Sequence, residues 1–122
     1  MYMVMYVLDN PRRLDEILDA WRAAGASGAT IMESTGTHRR QARRARLHLR
    51  YAFEGLEEHD LEDHYTLFTI VPDEEMVQRC IEAVERVVGD LSAPHTGILA
   101  AWPLTVVKGL TKNTPRKEDA KK

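Results

Sequence analysis

Apolar and polar positions follow two different periods along this chain, and the switches between them mark its elements. Residues 1–8 (MYMVMYVL) are apolar at every position, which predicts a central β-strand covered on both faces. Asp9, Asn10 and Pro11 then stop the strand and start a helix, with Asn10 or Asp9 as cap and Pro11 in the first turn. Leu14, Ile17, Leu18, Trp21 and Ala24 recur at helical spacing, and Gly25 and Gly28 end the helix. Residues 29–35 (ATIMEST) and 64–71 (HYTLFTIV) read as second and third strands. Pro72 and Asp73 open a second helix whose stripe is Met76, Val77, Cys80, Ile81, Val84, Val87 and Val88, closed by Gly89. Residues 96–104 (TGILAAWPL) predict a fourth strand, which Pro103 ends, bends or confines to an edge, and Val106 and Val107 suit a short extra strand.

The order is β-α-β-β-α-β, the split βαβ arrangement of the ferredoxin-like α+β fold: a four-stranded antiparallel sheet with two helices on one face. Strand one carries Met3 and Met5 on the side opposite Val4 and Tyr6. The helix-free face therefore needs a cover, and oligomerisation through the sheet is the simplest one.

Residues 36–63 break this regularity. The connector between strands two and three has no apolar face. It carries Arg39, Arg40, Arg43, Arg44, Arg46 and Arg50, followed by Glu54, Glu57, Glu58, Asp60, Glu62 and Asp63. Connections of this length inside a compact domain are usually functional or disordered. Arginine's planar fork suits bidentate pairing with carboxylate or phosphate, so the basic half suits an acidic partner surface. Pairing of the two halves with each other stands beside that reading, with exposed pairs worth about 0–1 kcal/mol each.

Composition adds bounds rather than a function. The 122 residues, 43% hydrophobic, suffice for one domain and one core, followed by a polar tail from Thr111 expected to be disordered. The net charge of −2 gives no global field toward nucleic acid or an anionic membrane. The single cysteine, Cys80, excludes an internal disulfide, and its place on an apolar stripe predicts a buried structural thiol. Residues 1–8 are too short for a membrane span and lack the basic flank of a signal peptide, so a cytoplasmic protein is expected.

The segment MYMVMYVLDNPRRLDEILDAWRAAGASGATIMESTGTHRRQ resembles the start of PII-type signal-transduction proteins: a first strand, an xPxxLDxxxxA helix, a glycine turn, a second strand ending in an ESxG-like step, and the Arg/Gln base of a long loop. The third strand, VPDEEMVQRCIEAV and GILAAWPL are similar to the family's later elements, so the resemblance spans residues 1 to about 110. It implies a homotrimer whose sheets pack inward and whose long T-loops contact a target enzyme or membrane transporter. It further implies that ATP, ADP or another adenine nucleotide, often with 2-oxoglutarate, occupies clefts between subunits, with no chemistry of the protein's own. On this resemblance the cleft takes Gly36, His38, Arg39 and Gln41 at the loop base, His95, Thr96 and Gly97 at the phosphate loop, and Lys108; Arg40, Arg43, Arg44, Arg46 and Arg50 face the partner. His38 stands where the family has its second loop-base glycine, and Ile98 where its phosphate loop has lysine.

Other chemistry finds less support. His59 and His64, among Glu58, Asp60, Glu62 and Asp63, match no closed zinc spacing and read better as a solvated acidic turn. No Ser/His/Asp or Cys/His set is suggested, and no metal is assigned. Tyr6, Tyr65 and Phe68 sit on strands one and three, but the aromatic RNA-binding motif of this topology is absent. A CutA-like or purely structural oligomer that binds metal or a protein, and a small ferredoxin-fold enzyme, are the alternative readings.

Overall fold

The computed structural model describes residues 1–37 and 64–110. Strand β1 (Tyr2–Leu8) leads through a 3₁₀ turn (Pro11–Arg13) into helix α1 (Leu14–Ala24), followed by β2 (Thr30–Ser34), β3 (His64–Val71), α2 (Glu74–Val88) and β4 (Ile98–Pro103). The strands form one antiparallel sheet in the order β2-β3-β1-β4. With both helices packed on one face, this is the expected ferredoxin-like βαββαβ fold.

Local chemistry sets the element ends. The Asn10 side chain, not that of Asp9, caps the first turn by accepting from the Arg12 N–H at 3.1 Å. Gly25 ends α1 in the left-handed region at φ 110°, its N–H bonding back to Arg22, while Gly28 lies beyond the helix in the connection to β2. Asp73 caps α2 by accepting from the Met76 N–H at 2.9 Å. The Arg13 guanidinium donates to the Val87 carbonyl at 2.6 Å, tying the start of α1 to the last turn of α2.

The core lies between sheet and helices. Val4, Tyr6, Leu8, Leu67 and Val71 from the sheet meet Ile17 and Trp21 of α1 and Met76, Val77, Cys80, Ala83 and Val84 of α2. The Trp21 indole N–H donates to the Cys80 carbonyl at 3.2 Å, so the largest core side chain has its one polar group satisfied. Cys80 is fully buried, and that burial pushes its thiol up to about 11, which keeps it protonated and unreactive.

Cross-strand partners share a face, so the register fixes what the other side of the sheet presents. Met3 lies level with Ile70 and Trp102, Met5 with Phe68 and Ala100, and Val7 with Thr66 and Ile98. Met32 of β2 joins them opposite Thr66. No described helix covers this face, and Met32, Ile98 and Trp102 are 53%, 65% and 41% exposed. The expectation that Met3 and Met5 point away from Val4 and Tyr6 is met.

Two expectations are corrected. Strand β4 begins at Ile98 rather than at residue 96, because Thr96 and Gly97 belong to the preceding turn. Val106 and Val107 form no strand. The Leu104 N–H donates to the Met1 carbonyl, and the chain then leaves the edge of the sheet and brings Leu110 beside Met3, Gly28 and Ile70. Among the described residues no helix is long and apolar enough to cross a membrane. The charged connector from residue 38 to 63, and the tail from residue 111, lie outside the described residues.

Candidate functional site

The end of the sheet where β1 stops and β3 and β4 start carries His95, the one non-glycine residue at positive φ among the described residues, together with Gly97. The turn from α2 to β4 is braced from within. The Leu91 N–H donates to the Glu85 carboxylate at 3.0 Å, and the Ser92 N–H to the Asp90 carboxylate at 2.8 Å. The Thr96 hydroxyl donates inward, shared between the Ala93 carbonyl at 2.8 Å and the Leu91 carbonyl at 3.3 Å. The Thr96 carbonyl in turn accepts from the buried Tyr6 hydroxyl. Burial, with the nearby Asp9 charge second, pushes the Tyr6 phenol up to about 12, so it remains a donor at neutral pH.

This bracing holds two residues in left-handed backbone. His95 sits at φ 63° with its side chain exposed. Gly97 sits at φ 95°, where a Cβ would overlap the Val7 carbonyl oxygen and lie 2.8 Å from the Tyr6 hydroxyl. Glycine is required there by both conformation and space.

A cleft of about 320 Å³ opens beside the turn. Val7 and Asp9 at the end of β1, His64 at the start of β3, and Ala93, Pro94, His95, Gly97 and Ile98 line it. Val7 and Ile98 also belong to the uncovered apolar face, so the cleft lies at that face's rim.

His64 is the residue that organises the far side. Its Nδ1 lies 3.1 Å from the Leu8 carbonyl. A carbonyl only accepts, so Nδ1 is the donor in this contact. A Cβ on Gly36 would approach the ring's Nε2 to 3.2 Å, so Gly36 packs directly on the ring. The Ser34 hydroxyl lies 2.8 Å from the Thr66 hydroxyl and 3.3 Å from the His64 carbonyl, closing the end of the β2–β3 pair.

Of the residues expected from sequence, Gly36, His95 and Gly97 meet at this end of the sheet, the first through His64 and the other two in the cleft lining. Thr96 is buried, and its hydroxyl is used within the turn. Lys108 is exposed and outside the lining, two residues before Leu110 at the opposite end of the sheet. His38, Arg39, Gln41, Arg40, Arg43, Arg44, Arg46 and Arg50 lie outside the described residues, as does His59.

Sequence reasoning missed Val7, Asp9, His64, Ala93 and Pro94 as cleft residues. His64 had a usable signal. Antiparallel pairing of β2 with β3 sets Ser34 opposite His64, so the residues flanking the long connector must be neighbours. Among the described residues no three His, Cys, Asp or Glu side chains are placed to hold a metal ion. The cleft is lined by two imidazoles and a carboxylate among apolar side chains. No protein-family model matches the chain, and no characterised protein matches it.

Proposed function

We propose that this chain is a PII-like regulatory protein. It assembles as a homotrimer through its uncovered sheet face and binds a small effector, an adenine nucleotide in first place, in clefts at the subunit boundaries. It contacts a target enzyme or transporter through residues 37–63 and works in the cytoplasm. The observation that carries this reading is the position of the cleft: it lies at the rim of the uncovered apolar face and beside Gly36 and His64, which flank the long connector. Covering the face with another copy would turn the open cleft into a subunit boundary. It would also remove Met32, Ile98 and Trp102 from water. The resemblance of the first forty residues to PII-type proteins supports the same assignment.

An effector can reset residues 37–63 only by its difference in affinity for their arrangements. Titration calorimetry of the full chain with ATP, ADP, AMP and cyclic nucleotides tests the reading. It predicts saturable heat with at least one of them, weakened by His95→Ala, whose side chain is exposed in the cleft. No heat and no thermal shift with any adenine nucleotide removes the nucleotide-binding reading.

A further inference from the structure

We infer that His64 is the positioning residue through which the cleft and the flanks of the long connector move together. This deepens the effector-cleft reading and rests on it for its use, but its geometry is independent of the ligand. The contacts form one continuous chain. Gly36, before the connector, packs against the His64 ring so closely that a Cβ would reach 3.2 Å from Nε2. His64 is itself the first strand residue after the connector. Its ring crosses from β3 to β1 and donates to the Leu8 carbonyl, one step beyond the last β1–β3 pair, Leu8 with Tyr65. The adjacent Val7 carbonyl lies directly against Gly97, and the turn that carries Gly97 also presents His95.

The ring is thus held from two sides, by its hydrogen bond to Leu8 and by Gly36, while the Ser34 hydroxyl ties the His64 backbone carbonyl. Turning it breaks the Leu8 bond, and pushing it displaces the end of β1 on which Gly97 rests. A ligand lodged against the ring therefore bears on both flanks of residues 38–63, and a shift at Gly36 bears on the cleft. A double-mutant cycle measures this coupling.

The cycle needs no ligand. In the full chain, Gly36→Ala presses a methyl group on the ring, and backbone amide NMR reads the displacement of the His95 and Gly97 signals. With His64 present, Gly36→Ala moves both signals. In a His64→Ala background the displacement falls roughly threefold or more. His64→Gln, whose amide can donate to the Leu8 carbonyl, retains it. His64→Phe, which keeps ring bulk without the donor, loses it and serves if His64→Ala does not fold. Equal displacement in every background, or none with His64 present, overturns the proposal. A silent nucleotide titration with a positive cycle removes the effector assignment and leaves the coupling standing.

Discussion

The two faces of β1 use the same kinds of side chain for different ends. Val4, Tyr6 and Leu8 point to the helices and are fully buried. Met3, Met5 and Val7 alternate with them, point the other way, and remain half-buried in the single chain. The covered face is held by named contacts: Trp21 on the Cys80 carbonyl, Tyr6 on the Thr96 carbonyl, Thr69 on the Gly28 carbonyl. The open face carries the Ser34–Thr66 and His64–Leu8 contacts at one end and Leu110 beside Met3 and Ile70 at the other, and no described helix packs on it. An apolar strand thus records two burials, one within the chain and one we assign to other copies of it.

The two faces should respond differently to perturbation. The largest effect is expected at Trp21, 1% exposed in the covered core. Trp21→Ala removes the indole and leaves the Cys80 carbonyl without its donor, and should destabilise by about 3–5 kcal/mol in urea denaturation. The size of that loss should not change with protein concentration.

Alkali should also act on the covered face. Tyr6 and Cys80 have folded values near 12 and 11, above the ordinary 10.0 and 9.0. Both are therefore protonated more readily in the folded chain. Their contribution is intact below pH 9 and is lost as pH rises through 11 and 12, by about 2–3 kcal/mol for each group. Thermal melts from pH 8 to 12 should show this fall. Tyr6→Phe should flatten its upper part while lowering stability at pH 8 by about 1 kcal/mol through the lost Thr96 bond.

Phe68, half-buried on the open face beside Met5, should behave differently. Phe68→Ala should cost about 1–2 kcal/mol per chain, expressed mainly in association. Its melting temperature should therefore fall further behind wild type as the protein is diluted, unlike that of Trp21→Ala. A concentration-independent shift at Phe68 would make the open face an ordinary surface. The smallest effect is expected at Asp73, the cap of α2, where Asp73→Ala should cost about 1 kcal/mol, measured by urea denaturation, and leave association untouched.

Most of the fold was legible because local signals agreed with one another. The helical stripes, the Asn10 and Asp73 caps and the Gly25 stop each act within a few residues, where sequence pattern is informative. The start of β4 was misread because Thr96 has β-propensity but spends its hydroxyl closing a turn, a contact that spacing does not reveal. Val106 and Val107 were misread because apolar, β-branched residues fit an edge strand, whereas the chain leaves the sheet after Leu104. The cleft was half legible. His95 and Gly97 came in through the phosphate loop of the resemblance, but His64 reads as one polar residue in an acidic run until strand pairing sets it beside Gly36. Lys108 shows the limit of counting along a chain, since its place depends on where the segment after β4 turns.

What covers the open face decides the assembly, and the mass of the full chain in solution tests that most directly. Sedimentation equilibrium should give three times the 13.9 kDa chain mass, holding down to micromolar concentration. A single-chain mass under those conditions would leave Met3, Met5, Phe68 and Trp102 facing water and would contradict the assembly on which the inter-subunit cleft depends.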